Sequence, residues 1–237
     1  LSIFYYMNYK KKNIKYKINV CRNTRYIIPH NHGWMADGTR NSLEYGLKKF
    51  KPKVVVELGT WLGLSSKFIK KIAPNVKLYC FDIFQPILDT EYKLKKYNPI
   101  DKFYFNVPRL ETFNKNMNDH KDVFAIKTSI NIDEVINLFK NNNIDVDIFY
   151  IDFEKNPEKL NNMILKITKN FPKSTIIGDD LICGHTKQSI SNQLLSSNKK
   201  FAISKYSYII SSRDMKDYLK IIKKELLRNI CLNLFIY

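Results

Sequence analysis

Two glycines and five carboxylates stand at spacings that suit a ligand site. In Glu57-Leu58-Gly59-Thr60-Trp61-Leu62-Gly63-Leu64-Ser65-Ser66 the glycines permit a tight turn against a bound molecule, and Ser65 and Ser66 open a helix whose first amides favour an anion. The G-x-x-x-G spacing departs from the G-x-G-x-x-G of dinucleotide folds, whose second glycine makes room for a pyrophosphate. A nucleoside or nucleotide other than NAD or FAD is implied. Asp82 closes the next apolar run, where an acidic side chain can accept both hydroxyls of a ribose; its plainer use is as a turn residue. Further on, Ile148-Phe149-Tyr150-Ile151-Asp152 and Thr175-Ile176-Ile177-Gly178-Asp179-Asp180 are two apolar runs that each end in carboxylates. Three acids gathered at one edge repel unless a cation neutralises them, and an all-oxygen set suits a hard divalent ion such as Mg²⁺ better than zinc. The alternative is that Asp179 and Asp180 cap a loop and Asp152 faces solvent.

These residues need strands to carry them. Val54-Val55-Val56 is a short β-branched run between Pro52 and Gly59, the pattern of a strand buried on both faces of a parallel sheet. Lys77 to Phe81, Val123 to Ile126, Val146 to Ile151 and Thr175 to Ile177 repeat it. Between them lie apolar residues at helical spacing: Leu43, Leu47 and Phe50 before the first strand, then Phe68, Ile69 and Ile72, then Ile132, Val135, Ile136 and Phe139. Leu160, Met163, Ile164 and Ile167 follow Pro157, a suitable helix start. Strands alternating with helices predict a parallel α/β sheet, whose ligands bind outside the carboxyl ends of the strands. A helix is expected around Ile190 and Leu194, and an antiparallel edge hairpin from Phe201 to Ile203 and Tyr206 to Ile210. Residues 1–32 read as a basic arm, 33–213 as the domain, and 214–237 as an amphipathic helix through Met215, Leu219, Ile222 and Leu226 that serves as a lid or a homodimer contact.

The run from Val54 to Gly63, an apolar strand, an acid and G-x-x-x-G, resembles the first motif of the class I S-adenosylmethionine-dependent methyltransferases. With Asp152, Asp179 and Asp180 added, the chain from about Gly33 to Tyr208 is similar to the metal-dependent O-methyltransferases of the catechol and caffeoyl-CoA type, and to a related branch acting on sugar and antibiotic hydroxyls. The resemblance implies a Rossmann-like α/β fold with a mostly parallel seven-stranded sheet, an antiparallel hairpin at one edge and helices on both faces. It implies S-adenosylmethionine as cofactor, bound through Glu57, Gly59, Trp61, Gly63, Ser65, Asp82, Thr128, Ser129 and Asp152, with Trp34 and Met35 near the methionine end. It places a divalent ion, Mg²⁺, on Asp152, Asp179 and Asp180, and a catalytic base at Lys155, three residues after Asp152. In such enzymes a hydroxyl oxygen attacks a methyl carbon in line, so the two must be positioned and the hydroxyl's pKa lowered. Lys155 could take the proton only if burial or a nearby cation depressed its own pKa. Two departures bear on the acceptor. Ile209 and Ile210 stand where the catechol group has a Glu, and Phe153-Glu154 replaces the aromatic that faces adenine. His185, five residues beyond Asp180, reads as a solvated loop residue, with assistance to proton transfer or substrate binding as the alternative, and His30 and His32 in the arm have the same status.

At 237 residues, with 44% apolar and 26% charged side chains, the chain has material for one core and is no disordered tail. The net charge of +18 would attract polyanions, which keeps a nucleic-acid substrate, or a non-catalytic basic binding module, as alternatives to a small-molecule or sugar acceptor. The excess is mostly Lys, 34 against 6 Arg, alongside 25 Asn and 30 Ile. A+T-rich codons produce that bias, and Arg is the residue that phosphate recognition prefers. Cys21, Cys80, Cys183 and Cys231 form no C-x-x-C pair, as expected for reduced thiols in a cytoplasmic protein, and no run is long and apolar enough to span a membrane.

Overall fold

In chain order the elements of the computed structural model are α1 (Asp37–Phe50), β1 (Val54–Leu58), α2 (Leu64–Ile72), β2 (Lys77–Asp82), α3 (Arg109–Met117) and β3 (Val123–Lys127). They continue with α4 (Ile132–Asn141), β4 (Ile148–Ile151), α5 (Pro157–Asn170), β5 (Thr175–Gly178), β6 (Lys200–Ser204) and β7 (Ser207–Ser211). The structure describes residues 35, 37–85, 109–154, 156–179, 200–204 and 207–218. The basic arm, Trp34, Lys155, Asp180, the three histidines named above, the helix expected near Ile190, and the chain beyond Tyr218 lie outside them.

The strands form one mixed sheet in the order β3-β2-β1-β4-β5-β7-β6. The first five are parallel; β7 runs antiparallel to β5, and β6 antiparallel to β7. The edge hairpin is therefore present. Strand order reverses between β1 and β4, where Val55 to Leu58 pair with Ile148 to Ile151. This is the switch point at which the loops after two adjacent strands diverge and leave a crevice.

All five side chains of β1 are buried because both faces of the sheet are covered. Successive strand residues alternate between faces, so Val54, Val56, Leu58, Phe149, Ile151 and Ile176 pack on α4 and α5 through Val135, Phe139, Met163 and Ile167. On the other face Val55, Leu78, Ile148, Ile177 and Ile209 meet Leu43 and Leu47 of α1, Ile69 of α2, and Phe113 and Met117 of α3. Helix starts are set locally. Asn131 accepts from the Asp133 amide at the head of α4, and Asn156 accepts from the amides of Glu158 and Lys159 before Pro157 opens α5.

Helix α3 has no counterpart in the sequence reading. Phe113 and Met117 are four apart and both buried, which is a helical signal, but Lys115 and the five other polar or charged residues of the helix dilute it. Among the described residues no helix is long and apolar enough to cross a membrane.

Candidate active site

The loop from Gly59 to Gly63 is built around two carboxylates. Gly59 and Gly63 have φ of 89° and 91°, in the left-handed region that favours glycine. Below the loop, Glu57 is 0% exposed, and its oxygens accept hydrogen bonds from the hydroxyls of Thr60 (2.8 Å), Ser65 and Ser66. Burial raises the Glu57 pKa above the ordinary carboxylate range, and those donors pull it partly back. Glu57 acts on the crevice by shaping the loop, since its carboxylate faces hydroxyls. Ser65 is committed in the same way through its hydroxyl.

Beside the loop, Asp82 accepts from three backbone amides: Thr60 (3.1 Å) and Trp61 (2.8 Å) on one oxygen, Phe84 (2.8 Å) on the other. The carboxylate at the end of β2 is thereby fixed in direction, with acceptor capacity left for a ligand hydroxyl. Thr128 joins this edge, its amide donating to the Asp82 carbonyl at 2.9 Å, and Ser129 follows it on the exposed side.

Across the switch point the loop abuts Asp152. A Cβ on Gly59 would lie 2.7 Å from Phe153 Cβ and 2.9 Å from the Asp152 carbonyl carbon and oxygen. The Asp152 amide donates to Leu58 O (2.8 Å), and the Asp179 amide to Ile151 O (3.1 Å). Asp152 and Asp179 thus follow adjacent parallel strands at the same level. Tyr150 donates its hydroxyl to Asp152 Oδ2 at 2.9 Å. Burial, and then the charges of Asp152 and Asp179, push the Tyr150 pKa well above that of a free phenol. Tyr208, whose ring packs across Gly178, is raised by burial and by the same two carboxylates. Both phenols are therefore held protonated, and Tyr150 is the one that donates to an acid.

Of the sequence-derived residues, Gly59, Trp61 and Gly63 lie in the turn after β1, Asp82 closes β2, Thr128 and Ser129 follow β3, and Asp152 and Asp179 follow β4 and β5, while Glu57 and Ser65 bond to each other beneath the turn. Met35 instead lies in the apolar cluster of the α1 face. Asp152 and Asp179 offer the hard oxygen donors a divalent ion takes. Among the described residues no group of three or more metal-ligating side chains forms, the expected third member being Asp180. Tyr150, Tyr208 and Arg109 were absent from the sequence-derived set. The first carried a signal, as a hydroxyl two residues before Asp152 on a wholly buried strand.

No family model matches the sequence, and no curated protein does. Solved structures match in fold. A methyltransferase from Geobacter sulfurreducens superposes with a TM-score of 0.51 at 12% identity, covering 81% of this chain and 86% of that one. The chain has a methyltransferase fold. The cofactor-bound Rv0187 from MTB gives a TM-score of 0.50 at 12% identity, over 76% and 82% of the two chains. In this methyltransferase fold the parallel strands end at the described crevice, and the antiparallel β7-β6 pair lies beyond β5, away from the switch point.

Proposed function

We propose that the protein transfers the methyl group of S-adenosylmethionine to a hydroxyl oxygen of a small molecule or sugar, assisted by Mg²⁺ or a similar ion. One observation carries this reading. The Gly59–Gly63 loop is tied to Asp82 by the Thr60 and Trp61 amides and presses on the Asp152 backbone at Gly59, so an acid suited to a ribose and an acid suited to an acceptor flank the same turn.

The sulfonium donor supplies an already activated methyl carbon. Asp82, aligned by three amides, accepts from the ribose hydroxyls, while Thr128 and Ser129 border the adenine side and the glycine turn lets the backbone approach the methionine portion. Asp152, Asp179 and Asp180 would hold the divalent ion, which would stabilise negative charge on the acceptor oxygen. Lys155 is the base that takes the hydroxyl proton. Tyr150 keeps Asp152 oriented by its hydrogen bond.

The test is methyl transfer from labelled S-adenosylmethionine across phenols, sugars, nucleotide-sugars and RNA, with Mg²⁺ or with excess chelator. Transfer to a hydroxyl acceptor that falls in chelator, and is lost in Asp152→Ala while cofactor binding persists, supports the reading. Full activity in chelator overturns the metal assignment, and transfer to RNA alone overturns the acceptor class.

A further inference from the structure

Arg109, the first residue of α3, is a buried cation that forms no ion pair with a carboxylate among the described residues. It is only 5% exposed, and its Nε and Nη2 have no hydrogen-bond partner among the described residues. Its guanidinium carbon lies over the Trp61 ring, 5.8 Å from the centroid. The charge of Asp82 acts on it, yet no ion pair joins the two; the Asp82 oxygens are aimed at the Thr60, Trp61 and Phe84 amides. A buried guanidinium without acceptors is costly, and a cation at the positive end of a helix adds to the cost. Glu111 in the same first turn is exposed.

The location is set by topology. Strand β2 ends at Asp82 on the ligand edge, and α3 must run back down to start β3, so its first residue lies at that edge. One turn further on, Phe113 packs against Gly63, where a Cβ would meet its ring at 3.0 Å. Asn116 donates to Leu62 O at 2.7 Å. The helix is thereby pinned to the Gly59–Gly63 loop with Arg109 above it.

We propose that Arg109 is an anion-binding residue: its guanidinium, backed by Trp61, receives a carboxylate or phosphate group of a ligand held at this loop. An aromatic face leaves the in-plane N–H groups directed sideways, where they can grip such a group with two parallel hydrogen bonds. The anion belongs either to the amino-acid carboxylate of the methyl donor or to an anionic acceptor. Only the first source rests on the donor reading given above.

Trp61 is the reporter. The chain has two tryptophans, so a Trp34→Phe background isolates its fluorescence in the anion titrations, while nucleoside affinities are measured by calorimetry with Trp34 in place. Inorganic phosphate and acetate are titrated at constant ionic strength into this protein and into versions carrying Arg109→Gln or Arg109→Lys. We expect a saturable response that Arg109→Gln loses and Arg109→Lys weakens roughly tenfold. Thermal unfolding separates a binding role from a structural one, because removing an unsatisfied buried charge should leave the melting temperature unchanged or higher. S-adenosylhomocysteine and methylthioadenosine, which lacks the amino-acid portion, distinguish the sources. If the donor supplies the anion, Arg109→Gln weakens the first ligand and spares the second, and saturating S-adenosylhomocysteine abolishes the phosphate response. If the acceptor supplies it, both nucleosides bind Arg109→Gln normally and the phosphate response persists beside them. Phosphate binding without any nucleoside binding would retain the anion site and remove the donor reading. No response to either anion at tens of millimolar, roughly the weakest affinity a specific contact gives, would overturn the proposal, as would a large loss of melting temperature in Arg109→Gln with both nucleosides equally affected.

Discussion

Gly59→Ala should damage this protein far more than its single methyl group suggests. The residue has φ of 89°, and an L side chain held there costs about 1–2 kcal/mol. Its Cβ would stand 2.7 Å from Phe153 Cβ and 2.9 Å from the Asp152 carbonyl, against the ~3.5–4.0 Å of a comfortable carbon contact. Two of those neighbours are backbone atoms held by the Asp152 amide bond to Leu58 O, so the turn and the end of β4 must part by about 1 Å. Overpacking of this kind costs about 1–3 kcal/mol, for a total of about 2–5 kcal/mol. In a chain of this size that corresponds to a fall in Tm of roughly 4–20 °C. Because a 1 Å displacement of positioning groups can cost about a hundredfold in rate, turnover should fall by more than stability alone explains. Gly46→Ala is the internal control. It lies within α1, where alanine is the better helix former by about 1 kcal/mol, and its Cβ meets chiefly the movable Ile177 Cδ1. Urea unfolding and calorimetric titration with S-adenosylhomocysteine should separate the two variants clearly. Equal stability and equal affinity in Gly59→Ala and Gly46→Ala would refute the reasoning.

Glu57→Gln tests the carboxylate under the loop. The folded pKa of Glu57 is raised, so the native state holds its proton to higher pH than the unfolded chain does. Its contribution is fully present below the ordinary glutamate range and is lost as pH rises through the raised folded value. Relative to Glu57→Gln, the wild type should therefore lose stability across that window in urea titrations, and parallel pH profiles would contradict this. Asp82→Asn turns an acceptor of three amides into a group that also carries donors; a loss of about 1–3 kcal/mol with weakened S-adenosylhomocysteine binding is expected by the same titrations. Tyr150→Phe removes the hydroxyl that orients Asp152, and should cost about 1.5–3 kcal/mol in unfolding experiments and slow methyl transfer with little change in cofactor affinity. Asn156→Ala deletes the cap that starts α5 and should cost about 1 kcal/mol.

What was legible in the sequence is what local pattern dictates. Val54 to Val56 declared a strand buried on both faces, and Ile132, Val135, Ile136 and Phe139 declared a helix face whose four members are all buried. The hairpin from 201 to 210 was readable because two β-rich runs lie close in sequence. Asp152 and Asp179 were readable as partners because each closes an apolar run, and parallel pairing brings such ends level. Helix α3 was not, since its buried Phe113, Asn116 and Met117 are set among polar residues and only the Gly63 loop explains their burial. Arg109 was hidden for a related reason: nothing in a sequence tells a buried guanidinium from a surface one until a helix is pinned against a tryptophan. The cage of Thr60, Ser65 and Ser66 around Glu57 was also missed. Ser65 and Ser66 read as the start of a helix whose amides favour an anion, with Ser65 on the cofactor, whereas the cost of burying a carboxylate turns their hydroxyls and that of Thr60 inward.

Calorimetric titration of the full chain with S-adenosylhomocysteine probes the donor pocket most directly. Saturable one-to-one binding is predicted, weakened in Asp82→Asn and in Gly59→Ala but retained in Asp152→Ala. Absence of binding at millimolar nucleoside, or affinity indifferent to Asp82 and Gly59, would contradict the assignment of this crevice to a methyl donor.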